Sequence, residues 1–221
     1  NANLAATSVS RGAGLNVSAL ANVYGATDFT LNGTFTDAVT NGDYIQFIIA
    51  ANATYKTSLS TLDANFRRSS TGPNTFQWQY SLDGFATAGV NIGAAISFTN
   101  TATAGIAQTQ IDLSVFPALQ DVTNPAVITF RLYGYGATNI GGTFALGRPT
   151  TPLNDLALGG TVVVASGTPL ITVTPATLTG FQALSGVPSA EQAYSITGSD
   201  LTNDIIVTPP VGFEIATVTG G

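Results

Sequence analysis

Few side chains in this 221-residue chain are equipped for chemistry, and their types narrow what it can do. Histidine and cysteine are absent. That removes the imidazole acid/base, the Ser-His-Asp triad, the thiol nucleophile, the disulfide and any His- or Cys-held metal. Carboxylates remain. Glycoside hydrolysis needs two of them roughly 5–9.5 Å apart, yet Glu191 and Glu214 are the only glutamates. The aspartates are scattered, mostly at turn sequences where bonding to nearby backbone accounts for them. Leu82-Asp83-Gly84 does not form the Asp-Thr/Ser-Gly triplet of an aspartic protease. The expectation is no enzyme, with a hydrolase as the most distant reading.

Binding chemistry has more to work with. Trp78, Tyr80, Arg131, Tyr133 and Tyr135 pair aromatic faces with a planar guanidinium. Aromatic faces match sugar C–H faces, and a guanidinium reaches vicinal hydroxyls, so these five form a candidate carbohydrate-binding set. Trp78 shares its side of the strand with Phe76 and Leu82, which equally assigns it to a core. Arg131 and Tyr133 alternate away from an apolar face and are expected to face solvent or cover a second layer. Arg67-Arg68 is the densest positive charge. It holds an anion, or it ties the Gly72-Pro73 turn to a carboxylate such as Asp63 or Asp83 or to carbonyls. A structural calcium is the one cofactor with any support. It needs six to eight oxygens, and Asn41/Asp43, Asn154/Asp155 and Ser199/Asp200/Asn203/Asp204 offer some of them. No Dx[DN]xDG loop is present.

Strands must position these residues, because period-2 alternation dominates. In 75–82, Phe76, Trp78, Tyr80 and Leu82 share one face and Thr75, Gln77, Gln79 and Ser81 the other. In 126–133, Ile128, Phe130 and Leu132 oppose Thr129, Arg131 and Tyr133. Residues 43–49 are apolar on both faces, as in a central strand. Further strands are expected over 29–35, 57–62, 92–98, 109–113, 143–146 and 156–164. Asn32-Gly33, Asn41-Gly42, Gly72-Pro73, Asp83-Gly84, Gly141-Gly142 and Gly159-Gly160 read as turns. Only 114–120, with Pro117, reads as a short helical turn.

The fold class is therefore all-β: a β-sandwich, jelly-roll or immunoglobulin-like, over 1–165. Residues 166–169 read as a linker. Residues 170–221 carry four or five short strand runs, at 170–174, 179–184, 193–197, 205–207 and 213–218, where a full immunoglobulin-like domain needs about seven. The second domain is thus expected to be partial.

Composition bears on partners and location. Charged residues are 8% of the chain, against roughly 25% ordinarily. The net charge of −6, with Lys56 the lone lysine, repels nucleic acid and anionic lipid. Mean hydropathy is +0.30, but Pro169, Pro175 and Pro188 interrupt the longest uncharged stretch, 156–190, and no window supplies a spanning helix. The N-terminus, Asn1-Ala2-Asn3-Leu4, lacks a basic leader. Low charge, abundant Thr and Gly and absent Cys fit an extracellular bacterial protein. Its expected partners are other copies or neighbouring domains of the same surface protein, joined through edge strands, with glycans as the alternative. Residues 1–10 read as such a donor strand or as the first strand of their own sandwich.

Residues 11–164 resemble a secreted bacterial β-sandwich module. The resemblance rests on Ser10-Arg11-Gly12-Ala13-Gly14-Leu15, Asp43-Tyr44-Ile45-Gln46-Phe47, Arg68-Ser69-Ser70-Thr71-Gly72-Pro73, Tyr80-Ser81-Leu82-Asp83-Gly84-Phe85 and Phe130-Arg131-Leu132-Tyr133-Gly134-Tyr135. Residues from Leu170 on resemble the immunoglobulin-like repeats of large type IX-exported surface proteins, with Pro175-Ala176-Thr177-Leu178-Thr179-Gly180-Phe181 at a repeat start. The resemblance implies cell-surface location and a modular, adhesive or structural role. It implies no catalytic residue.

Overall fold

A computed structural model of the chain describes residues 1–148, 155–165, 167, 169–201 and 203–217. They divide into two units, Asn1–Ala165 and Ser166–Gly221.

The first unit is an all-β sandwich. Its elements in chain order are β1 (Leu4–Ala6), β2 (Ser10–Arg11), β3 (Asn16–Ser18), β4 (Tyr24–Thr27), α1 (Phe35–Asn41), β5 (Tyr44–Ala51), β6 (Tyr55–Arg68), β7 (Thr75–Ser81), β8 (Val90–Ser97), β9 (Ile106–Ala107), β10 (Ile111–Asp112), β11 (Val122–Thr123), β12 (Val127–Tyr135), β13 (Phe144–Leu146) and β14 (Leu156–Val164). One sheet runs β1-β5-β12-β7-β8, with β2 also on β5. The other runs β10-β6-β13-β4-β3, with β9, β11 and β14 also on β6. The strand pairs are antiparallel, as hairpin and meander connections allow.

Alternation decides which side chains are inside. On β5, Ile45, Phe47 and Ile49 are buried while Tyr44, Gln46 and Ile48 are half-buried on the outer face. On β12, Ile128, Phe130 and Leu132 point inward. The register sets Phe47 opposite Phe130, and their rings stack at 5.0 Å. From the second sheet, Leu62, Ala64 and Phe66 of β6 and Phe144 of β13 join the same core. Phe66 and Phe144 both pack on Phe76 of β7, which locks the two sheets together.

Strand β6 is the hub. Thr57, Leu62 and Phe66 each pair on both sides, to β11, β10 and β9 along one edge and to β14 and β13 along the other. Between Gly159 and Gly160 of β14 the register shifts, Ser60 being the extra residue on β6.

Two local expectations are corrected, and two further local features are settled. Residues 29–35 are not a strand. Asp28 and Asn32 have φ of 70° and 50°, and only a single bridge, Leu31 to Ala137, forms there. Helix α1 follows instead. Thr34 caps it, accepting from the Asp37 N–H, while the Asp37 carboxylate accepts from the Thr34 N–H. Gly42 at φ 78° closes it. Leu82 lies beyond the end of β7 and is 42% exposed, not on the inner face. The polar face of β7 is covered: Gln77, Gln79 and Ser81 are all buried. Of the two readings of residues 1–10, the first strand of their own sandwich is the one seen: β1 and β2 pair with β5.

The second unit holds β15 (Leu170–Thr174) and β16 (Ser195–Ser199), paired antiparallel from Leu170↔Ser199 to Thr174↔Ser195. The strand runs expected at 179–184, 205–207 and 213–217 are not strands here. Val218 lies outside the described residues. Phe181 and Phe213 meet edge-on at 5.2 Å. No described residue of this unit is buried. No helix among the described residues of the chain is long and apolar enough to cross a membrane.

Candidate functional site

The outer face of the first sheet gathers the most chemically equipped side chains. Alternation on β5 and β12 presents Tyr44, Gln46, Arg131, Tyr133 and Tyr135 on one side, and the register places Arg131 opposite Gln46 and Tyr133 opposite Tyr44. Tyr44 is then the diagonal neighbour of Arg131, within reach of a long side chain. The guanidinium carbon lies 4.0 Å from the centroid of the Tyr44 ring. On its other side lies Phe85, also at 4.0 Å. Arg131 Nε donates to Gln46 Oε1 at 2.7 Å, and Nη1 donates to the Tyr133 hydroxyl at 3.3 Å.

Phe85 reaches this position through a tied loop. Ser81 Oγ donates to the Asp83 carboxylate and accepts from the N–H of Asp83 and of Phe85. Asp83 also accepts from the hydroxyl and N–H of Thr87. These bonds, the Ser81 hydroxyl first, hold the Asp83 carboxyl at about 2, below its ordinary 3.8. Helix α1 closes the other flank: Phe35 packs edge-on against Tyr133 at 5.5 Å and tilted against Tyr135 at 6.1 Å. Tyr133 is 1% exposed. Burial pushes the Tyr133 and Tyr135 hydroxyls above their usual range, with Arg131 opposing the shift at Tyr133.

Both faces of the Arg131 guanidinium are therefore occupied. Tyr44 and Phe85 turn their ring faces toward this cation, and Tyr133 is packed against Phe35 and Tyr44. Arg131 bonds Tyr133, and Phe35 packs on both Tyr133 and Tyr135, so these side chains form a latch joining the 81–87 loop, α1 and the sheet. Tyr133 is buried and does not face solvent. Trp78 and Tyr80 lie on the opposite face of the same sheet. Trp78 is 1% exposed and packs edge-on against Phe47, and Tyr80 packs on Phe116. They are core residues, with no ring face open to a ligand. Burial also raises the Tyr80 hydroxyl. Sequence reasoning missed Tyr44, Gln46, Phe35 and Phe85. The alternation of β5 carried the signal for the first two.

The two adjacent arginines part ways. Arg68 is buried, and four carbonyls receive its guanidinium: Pro73, Gly72, Ser70 and Thr99, at 2.8, 2.7, 3.0 and 3.2 Å. Removal from water lowers its affinity for the proton. Its partners are turn carbonyls and not the carboxylate of Asp63 or Asp83. Arg67 alternates to the outer face and is half-buried. The ion pairs among the described residues are Lys56–Asp121 and Arg148–Asp155.

The aspartates named for calcium do not converge. Asp43 is 1% exposed, and its Oδ2 accepts from the Thr30 N–H at 2.8 Å. Neighbouring Asn41 donates to the Thr30 hydroxyl, so both brace the approach to α1. Asp155 is paired with Arg148, through Nε and through the backbone N–H. Asn154 lies outside the described residues. Asp200 and Asp204 are exposed in the second unit, Asp200 at a turn with φ 53°. No three carboxylates of the described residues group to hold a metal.

Comparison with protein-family models, with curated proteins and with solved structures found no match.

Proposed function

We propose that this chain is a non-catalytic, structural or adhesive module of a bacterial cell-surface protein, and that it assembles through its second unit. The observation that carries the reading is the unsealed state of that unit. Leu170, Ile171 and Val173 on β15, and Ile206, Val207, Val211 and Phe213 after β16, are all 40% exposed or more. Ordering a residue's backbone costs about 1–2 kcal/mol. A unit whose described residues are all unburied has little apolar burial to offset that cost. The edges of β15 and β16 also offer free main-chain donors and acceptors. Pairing with a strand of another copy, or of a neighbouring domain, covers both the edge and the apolar side chains.

The first unit fits the same role. Its arginines and aspartates are engaged in holding turns and loops, as at Arg68, Arg131 and Asp83. The low charge, absent cysteine and family resemblance described above support an extracellular location. A glycan reading built on the aromatic/Arg face is disfavoured, because the Arg131 guanidinium is stacked on Tyr44 and Phe85, and Trp78, Tyr80 and Tyr133 are buried.

Light scattering on the size-separated full chain tests the proposal. Mass should rise with concentration, and paired Ile171→Lys and Val173→Lys changes should return it to the monomer. A monomer at every concentration overturns the assembly reading.

A further inference from the structure

A second place on the first unit is shaped to receive a ligand, and it stands apart from the assembly reading. It lies on the outer face of β6. Leu62, Ala64 and Phe66 point into the core, so Asp63, Asn65 and Arg67 alternate outward. Their cross-strand neighbours are small: Asp63 pairs with Ala157, and Asn65 with Ala107. Polar side chains flanked by methyl groups leave space above the sheet. That space is a hollow of about 360 Å³, bordered by Asp63, Asn65, Ala107, Gln108, Arg148 and Ala157. The size falls at the low end of small-molecule sites, roughly 300–1,000 Å³.

Asn65 marks the hollow as more than a surface dent. Its backbone bridges the gap between two neighbouring strands: its N–H donates to the Asp155 carbonyl, and its carbonyl accepts from the Gly147 N–H. The residue is 5% exposed, yet its side-chain Oδ1 has no hydrogen-bond partner among the described residues. Buried acceptors are nearly always satisfied, so an orphan beside a hollow points to a missing donor. The oxygen is sealed from solvent as the side chain stands, and turning the amide toward the hollow would bring it within reach of a ligand hydroxyl, or of a water that the ligand holds.

We propose that this hollow binds a neutral, hydroxyl-rich ligand: a single sugar ring or the terminal sugar of a glycan. The lining selects that class. Asp63 accepts hydroxyl donors while Gln110 steadies both of its oxygens from one side. Arg148 is already neutralised by Asp155 and offers remaining N–H groups without a net attraction for anions. A divalent cation finds one carboxylate in the lining with a guanidinium next to it. The methyl groups of Ala107 and Ala157 suit the C–H face of a sugar ring. Gln108 also borders an adjacent hollow of about 200 Å³ beside Ile92 and Ile96, so a second ring has somewhere to continue.

The test is an amide-shift titration of the full chain with glucose, galactose, mannose and N-acetylglucosamine, with calcium chloride run in parallel. At least one sugar should give saturable shifts centred on residues 63–67, 107–110 and 157. Ala157→Leu fills the hollow while leaving every polar group in place. It should weaken the affinity by roughly tenfold or more, with the thermal midpoint unchanged. Asn65→Leu should do the same and serves as the second variant. Absence of saturation with all four sugars overturns the proposal. So do shifts that survive Ala157→Leu, and so do the same shifts produced by calcium alone.

Discussion

Phe76 of β7 and Phe144 of β13 meet across the sandwich, their ring centroids 4.3 Å apart. One comes from each sheet, so this contact ties together the two layers. Phe144→Ala should destabilise the first unit by about 3–5 kcal/mol, the usual cost of truncating a buried aromatic. Trp78→Ala, on the same inner face, should cost a similar amount. Chemical denaturation followed by aromatic fluorescence for the first, and by circular dichroism for the second, reads both. A loss under about 1 kcal/mol at Trp78 would mean the ring is not in the core.

Replacing Arg131 by methionine keeps the length and removes the charge. The Tyr44 and Phe85 rings then lose their cation, and Gln46 loses a donor. The expected cost is about 1–2 kcal/mol, with faster hydrogen exchange at 83–87. Arg131→Lys should rescue little, because an ammonium cannot stack between two rings as a planar group does. Unchanged exchange in that loop would refute the latch.

Arg68 predicts a stronger effect. Arg68→Ala orphans the carbonyls of Ser70, Gly72, Pro73 and Thr99, and a loss of about 2–4 kcal/mol follows from unsatisfied buried acceptors. Arg68→Lys should recover only part, since one point charge cannot serve four fixed acceptors. Urea midpoints of the three proteins decide it.

Asp83 gives a pH dependence with a definite sign. Its folded carboxyl titrates at about 2, against an ordinary 3.8. A depressed folded value contributes stability that is complete above the unfolded value and is lost as pH falls toward the folded one. The contribution should fade between about pH 4 and pH 2. Other carboxylates titrate nearby, Asp37 and Asp112 among them, so the readout is a difference. The gap in unfolding midpoint between the native protein and Asp83→Asn should narrow across that window. A constant gap would contradict it.

The all-β class and the strands that carry Arg131 and Trp78 were legible, because 127–135 and 75–81 alternate over enough residues for a period of two to stand out. Helix α1 was not. Seven residues make two turns, too few for a helical period, and Phe35, Val39 and Thr40 are good strand formers. Its signature lay in the capping residues Thr34 and Asp37 and in Gly42. The buried polar face of β7 was hidden for another reason. Gln77 donates to the carbonyls of Trp78, Ile92 and Gly93, and Gln79 to Gly89 and Asn91. Apart from Trp78 on β7 itself, those acceptors belong to β8 and its approach, where the pairing shifts register. Polar residues look solvent-bound until their tertiary partners are known. The Arg131 latch was half legible for the same reason: alternation aligned its strand, but Phe85 arrives from a loop.

The two-sided pairing of β6 has a consequence for biosynthesis. Residues 55–64 emerge from the ribosome early, but the β14 segment that bonds along one of their edges is the last strand of the unit to appear. Until then a long row of unbonded amides waits on the nascent polypeptide, open to any extended segment nearby. The unit should therefore need shielding by a chaperone until residue 164 is free.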